Sequence, residues 1–200
     1  NKKKNSKNDP WLISIDHVLD EKMCNALIQA GYKEAAGDGF LAKSTTTAGI
    51  AKVRTSSTAW CNATCRESSN LVSTAYQQLA DIIILQAMPS SSSSQHLLFT
   101  LNHAEDLQLL KYTNGQEYKL HSDYIHAHAS ASCGPRLLTV LVYLNDVTAN
   151  GGGGGGETTF PLLHTSISPV CGRVVIWPNV VWNTHTNTWQ QDLRTYHQAM

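Results

Sequence analysis

The sequence lacks an excess of charge of either sign. Its 15 basic and 15 acidic residues cancel, and the only basic run is Lys2, Lys3 and Lys4 with Lys7. A surface that binds nucleic acid by neutralising phosphates needs clustered excess Lys and Arg, so no nucleic-acid partner is expected. The basic run reads as a solvated tail. No apolar stretch approaches the roughly 20 residues of a membrane-spanning helix, so no membrane segment is expected here. No secretory signal peptide is visible. Cysteine is sparse and odd in number: Cys24, Cys61, Cys65, Cys133 and Cys171. Cys61 and Cys65 have no second pair to complete a zinc site, and one disulfide or none is compatible with the spacing. The glycine run Gly151–Gly156 is not followed by Lys-Ser/Thr and opens no helix, which excludes a phosphate loop.

What remains is an ordinary globular composition. Apolar residues make up 42% of 200 residues, enough for one domain with its own core. Residues 1–9 are expected to be a disordered tail and 10–200 a single domain. Low-complexity insertions are expected near 90–94 (five serines) and 151–156 (six glycines). The chain opens on Asn1, stops at Met200, and reads as a fragment incomplete at its C-terminus.

The pattern of elements changes along the chain. Trp11 to Ile15 reads as a strand. Asp20 is a good N-cap for a helix from Glu21 to about Ala30, with Leu19 and Cys24 spaced as a hydrophobic staple and Gly31 as the stop. Residues 37–49 read as loop. Leu71, Val72, Ala75, Tyr76, Leu79, Ile82 and Ile83 recur at helical steps and predict a helix over 68–86, ended by Pro89. Thereafter the candidates are short strands: Leu107 to Tyr112, Arg136 to Leu144, around Ile167, and Arg173 to Trp177. Helices followed by many short strands predict an α+β domain, a helical layer packed on a sandwich or jelly roll.

The chemistry centres on His121-Ser122-Asp123. On a strand, alternate side chains share a face, so an imidazole and a carboxylate project together. A second histidine would complete the facial triad of non-haem Fe(II) oxygenases, which leaves coordination positions open. His185 and His197 are the two candidates, both lying beyond the strand that ends near Trp177. His126 and His128 read as loop residues, Tyr118 as packing beside the site, and Trp177 as core.

The surroundings of the His-x-Asp pair are more specific than the pair. Tyr112-Thr113-Asn114-Gly115-Gln116-Glu117-Tyr118-Lys119-Leu120-His121 precedes it. Gly134-Pro135-Arg136, then Tyr143-Leu144-Asn145-Asp146-Val147, then Gly155-Gly156-Glu157-Thr158-Thr159-Phe160-Pro161 follow. Together they resemble the catalytic domain of the prolyl 4-hydroxylase alpha-subunit family. In that family the run is Tyr-x-x-Gly-Gln-x-Tyr-x-x-His-x-Asp, Gly-x-Arg, Tyr-Leu-Asn-Asp-Val and Gly-Gly-Glu-Thr-x-Phe-Pro. Residues 10–31, Arg54-Thr55-Ser56-Ser57 and Glu105 to Tyr112 also match, so the resemblance covers about residues 10–200.

The resemblance implies a double-stranded β-helix (jelly roll) with supporting N-terminal helices. It implies Fe(II) held by His121, Asp123 and His197, since Asp192 to Ala199 looks like the family's segment around the second histidine. It implies 2-oxoglutarate as cosubstrate, bound by Tyr112, Tyr143 and Thr139, with L-ascorbate restoring over-oxidised iron. Arg136 is implied as a contact to a proline-containing peptide, which would be hydroxylated as succinate and CO2 are released. Loops such as 37–49 or 151–156 would cover that peptide, and no catalytic residue is implied beyond the metal ligands. The family also carries a Lys or Arg shortly after the distal histidine to hold the far carboxylate of 2-oxoglutarate. This chain ends three residues after His197, so that residue is expected beyond Met200. The endoplasmic reticulum lumen is implied as the compartment; oligomeric state is left open. The alternatives are the same chemistry on another side chain or small molecule, or a non-catalytic module that keeps the fold. A carbohydrate-binding jelly roll would leave the motif spacing unexplained.

Overall fold

The computed structural model describes residues 10–34, 45–46, 49–50, 53–87, 103–147 and 155–199. The expected tail (1–9), the serine tract (90–94), Pro89 and most of the glycine run lie outside these residues.

The chain opens with strand β1 (Ile13–Ile15) and helix α1 (Glu21–Glu34). Asp20 caps the helix, its Oδ1 accepting from the Met23 N–H at 2.8 Å, and Leu19 and Cys24 are both buried as the staple pattern requires. The helix runs past Gly31, contrary to the expected stop. Glycine inside a helix costs only about 1 kcal/mol relative to alanine, and Gly31 is buried, so packing outweighs propensity. Within the expected loop 37–49, two short strands appear, β2 (Thr45–Thr46) and β3 (Gly49–Ile50), paired antiparallel. Next come β4 (Ser57–Cys61), the short α2 (Ala63–Arg66) and the long α3 (Asn70–Ala87). Cys61 and Cys65 form a disulfide across the β4–α2 junction.

The remaining elements are strands: β5 (Leu107–Lys111), β6 (Tyr118–His121), β7 (Leu138–Val142), β8 (Thr158–Phe160), β9 (Thr165–Ile167), β10 (Val174–Pro178), β11 (Val180–Asn183), β12 (Thr188–Gln191) and β13 (His197–Ala199). Sequence periodicity finds β5, β7, β9 and β10. It misses β4, β8 and the strands after β10, which are too short or too polar to carry an alternating signal.

Two antiparallel sheets position the site. One has the order β1-β10-β7 and the other β6-β13-β8-β9. Strand β10 is buried along its whole length, which explains its unbroken apolar run: both of its faces are covered. Alternation assigns its side chains to two cores. Val174 and Ile176 join Cys24, Leu27, Val72, Ala75 and Leu79 from the helices. Val175 and Trp177 join Phe160 and Ile167 from the opposite sheet. A helical layer on one face and a second sheet on the other is the α+β jelly-roll architecture expected from the sequence.

A tight contact ties α1 to this sandwich. The Gly172 carbonyl accepts from the Val18 N–H at 3.0 Å, and the Gly172 N–H donates to the Tyr143 carbonyl at 2.8 Å. Gly172 has φ +75°, and a Cβ there would lie 1.9 Å from the Leu19 carbonyl oxygen. Only glycine satisfies both the left-handed backbone and the close approach.

Candidate metal centre

Strand pairing brings the two histidines together. His197 on β13 is the register partner of His121 on β6, so both side chains leave the same face. Between His197 and Ala199 the pairing shifts, with Ala199 opposite Tyr118. Strand β6 therefore carries one extra residue, a bulge. That extra residue reverses the alternation, so Tyr118 and His121 share a face although they are three apart. Their rings stack at 3.4 Å between centroids, 15° from parallel.

Asp123 reaches the site differently from the sequence expectation. The strand ends at His121, so alternation does not place Asp123. Instead the chain turns, with Ser122 Oγ accepting from the Tyr124 N–H at 3.1 Å, and the carboxylate folds back against the imidazoles. Its Oδ1 lies 3.6 Å from His121 Nε2 and its Oδ2 lies 3.6 Å from His197 Nε2. Ligand atoms of His121, Asp123 and His197 all fall within 4.8 Å of one another, as no other such group does among the described residues.

The hydrogen bonds settle the tautomers. His121 Nδ1 lies 2.7 Å from the Lys119 carbonyl, and His197 Nδ1 lies 3.0 Å from the Thr195 carbonyl. A carbonyl only accepts, so each Nδ1 carries a hydrogen, and in the neutral imidazole Nε2 then keeps its lone pair. With both rings neutral, two lone pairs and a carboxylate face one another with no hydrogen between them. Burial first, and then the neighbouring His197, push the His121 imidazole down to about 4, so it is neutral at physiological pH. A cluster of converging acceptors is unfavourable by itself and fits a divalent cation. Imidazole and carboxylate donors without thiolate suit non-haem iron.

The walls are apolar and aromatic. Trp177 stands edge-on to the His197 ring at 4.8 Å, and Phe160 lies 5.4 Å from it; both are fully buried. Trp177 is core, as expected, and also flanks a candidate ligand. Tyr112 sits at the end of β5; burial raises its phenol, opposed by a hydrogen bond from Ser56 and by the Arg54 charge. Tyr118 is raised mainly by burial. Both phenols are therefore neutral donors.

The other sequence candidates are placed as follows. Thr139 on β7 donates to Asp123 Oδ2 at 2.7 Å. Tyr143 lies on the same face of that chain segment, packed against Phe160 and Trp177. Its hydroxyl is engaged by Thr158 Oγ1 at 2.7 Å, the Ile167 carbonyl at 2.9 Å and the Thr158 N–H at 3.1 Å. Arg136 makes a two-pronged ion pair with Glu105, at 2.5 and 2.6 Å, and its charge reaches Asp123. His185 lies exposed at the tip of the β11–β12 hairpin. His126 and His128 lie on a 3-10 turn (His126–Ser130), outside the cluster.

Two residues near the site are absent from the sequence reading of roles. Arg54 is 7% exposed, bridges to Tyr118 and places its guanidinium 5.1 Å from that ring. Asn179 is 1% exposed and donates to Thr139 Oγ1 at 2.9 Å. Arg54 lies in the matched Arg54-Thr55-Ser56-Ser57 segment but is given no role there, and no local pattern marks Asn179.

Sheet architecture and site together define a jelly-roll domain built around a His/Asp/His centre. Residues 107–198 match the family model of the 2OG-Fe(II) oxygenase superfamily. The relatives this chain resembles are prolyl 4-hydroxylases. Prolyl 4-hydroxylase 2 of Arabidopsis thaliana is 48% identical over 60 residues, 30% of this chain and 18% of that protein. Probable prolyl 4-hydroxylase 3 of the same plant is 27% identical over 163 residues, 81% of this chain. This chain thus spans 49% of that protein's length. Among solved structures, the viral collagen prolyl hydroxylase of Paramecium bursaria Chlorella virus-1, in a 2OG complex, superposes with TM-score 0.61 at 24% identity. That superposition covers 94% of this chain and 87% of the viral one. A Trichoplax adhaerens prolyl hydroxylase bound to a peptide fragment superposes with TM-score 0.59 at 15% identity, covering 94% and 76% of the two chains.

Proposed function

We propose that this chain catalyses Fe(II)- and 2-oxoglutarate-dependent hydroxylation of proline in a peptide, releasing succinate and CO2. The observation that carries the reading is the convergence of His121 Nε2, His197 Nε2 and the Asp123 carboxylate, in family order, on the paired strands of a jelly roll.

His121, Asp123 and His197 would hold Fe(II), and the bound iron with 2-oxoglutarate and O2 supplies the oxidising chemistry. The protein's part is positional. The Lys119 and Thr195 carbonyls fix both imidazoles by their Nδ1 hydrogens, and Thr139 fixes the carboxylate. Trp177 and Phe160 exclude water from the His197 side, which protects a reactive centre from side reactions. For 2-oxoglutarate we favour Tyr112, a neutral phenol near enough to feel the Asp123 charge, with Thr139 on β7 and Tyr143 just beyond its end. Arg136, held by Glu105 near Asp123, supports a contact to the peptide at the pocket mouth.

L-Ascorbate is proposed as the reductant that rescues uncoupled turnover. An oxidising compartment such as the endoplasmic reticulum lumen is supported by the Cys61–Cys65 disulfide. The test uses purified full-length protein with Fe(II), ascorbate, 2-oxoglutarate and a proline-rich peptide. Succinate should form in step with a peptide product heavier by one oxygen on proline. Succinate with the oxygen on another side chain would change the substrate. No succinate from protein that binds Fe(II) would favour a binding module.

A further inference from the structure

The Asp123 carboxylate is the end of a polar chain that runs back into the sandwich. Thr139 Oγ1 lies 2.7 Å from Asp123 Oδ2 and 2.9 Å from Asn179 Nδ2. The direction of each bond follows from chemistry. An ionised carboxylate only accepts, so the single Thr139 hydrogen must point to Asp123. The Thr139 oxygen is then an acceptor, so the Asn179 group facing it must be the amide NH2. Asn179 is pinned by its backbone as well: its N–H donates to the Leu137 carbonyl at 2.8 Å, and its carbonyl accepts from the Asp192 N–H at 2.9 Å. It sits between the end of β10 and the start of β11, and bridges the strand that carries Thr139 to the segment that leads into His197.

Asn179 has a feature that folding does not explain. Its side-chain Oδ1 is buried with no hydrogen-bond partner among the described residues. An unmet buried amide oxygen is unfavourable, and a leucine of similar branched shape would avoid it. The amide supplies one thing a leucine could not, a donor that holds the Thr139 hydroxyl in the orientation Asp123 needs. We infer that Asn179 is a positioning residue for the metal centre: through Thr139 it holds Asp123 Oδ2 and leaves Oδ1 free to bind the cation. The inference rests on the reading of His121, Asp123 and His197 as metal ligands.

Titration of the full chain with Mn(II), followed by calorimetry, separates the two ideas. Wild-type protein that binds no Mn(II) would overturn the metal reading and the inference with it. If the wild type binds, Thr139→Val and Asn179→Leu should each weaken Mn(II) about tenfold or more, the usual effect of losing a partner that orients a ligand. The double variant should match Thr139→Val, because Asn179 acts only through that hydroxyl. Thermal stability of metal-free Asn179→Leu should hold or rise. A purely structural asparagine would show the reverse: lower stability and wild-type affinity. Wild-type affinity in Asn179→Leu, or losses that add in the double variant, would overturn the proposal. Should Asn179→Leu fail to fold, Asn179→Ser, whose side chain is too short to reach Thr139, decides on the same affinity criterion.

Discussion

His121 and His197 stand opposite each other on neighbouring antiparallel strands, their rings 4.2 Å apart and tilted by 60°. Asp123 lies within reach of both Nε2 atoms, so three acceptors share one small volume. In metal-free protein this is a local repulsion that a cation or a hydrogen-bond donor would relieve. Asp123→Asn keeps the shape and supplies an N–H to a bare Nε2. We predict that it loses Mn(II) and Fe(II) binding while its melting temperature in chelator equals or exceeds that of the wild type. A ligand at 100 times its Kd adds about 2.7 kcal/mol, so wild-type protein should melt several degrees higher with Mn(II) and the variant should not shift. A metal-induced shift retained in Asp123→Asn would argue against the assignment. His121→Ala and His197→Ala should lose the shift as well.

The same cluster predicts how the metal-free fold responds to acid. His121 binds its proton only near pH 4 in the fold, against 6.5 for a free imidazole, with burial as the main cause. Between those values the unfolded chain holds the proton and the native one does not, so stability falls as pH is lowered through that window. Below about pH 4 this contribution is flat. One pKa unit corresponds to 1.36 kcal/mol, which sets an upper size of roughly 3 kcal/mol for the loss. Urea midpoints in chelator at several pH values between 7 and 4 measure it. His121→Asn should remove most of the slope; an unchanged slope would place the titration elsewhere.

The parts of this site legible in the sequence are those whose meaning is local. His121-Ser122-Asp123 is a compact motif with strong neighbours, and the helical periodicity around Leu79 or the cap at Asp20 can be read within one or two turns. What stays hidden depends on which strand lies beside which. His197 emerges from context in a family-like segment, yet its place against His121 is a property of the β6–β13 pairing. The bulge that aligns Tyr118 with His121, the turn that returns Asp123, and the approach of Asn179 to Thr139 are likewise tertiary. Gly31 misleads for the complementary reason: a local stop signal is outweighed by burial of the turn it occupies.

Tyr143 separates a structural from a chemical reading of a conspicuous tyrosine. Its hydroxyl accepts from the Thr158 N–H, and its hydrogen is shared between Thr158 Oγ1 and the Ile167 carbonyl. Thr158 is 4% exposed, so removing the hydroxyl strands a buried N–H. Tyr143→Phe should cost about 1–3 kcal/mol, read as a lower urea midpoint with an unchanged slope. Stability equal to wild type would mean that water or a shift of β8 replaces the hydroxyl.

Gly172 carries the sharpest steric prediction. The residue lies between Cys171 and Arg173, and Arg173 in turn pairs with Asp16 at 2.5 Å. The turn therefore joins the first strand's exit, the start of α1 and the central strand β10. Gly172→Ala meets two penalties at once: a left-handed backbone costs an L-residue about 1–2 kcal/mol, and its Cβ would overlap the Leu19 carbonyl oxygen, 1.9 Å away. Backbone cannot swing aside as a flexible side chain would, so β10 or the Leu19 segment must move and give up the hydrogen bonds at Val18. The expected outcome is a loss of several kcal/mol, on the order of the whole stability of many domains, seen as insoluble or non-cooperatively melting protein. Gly134→Ala is the control, with φ +70° but nothing within 4 Å of the added Cβ; it should pay only the backbone term. Equal stabilities for the two variants would mean that the close approach of Leu19 does not constrain the fold.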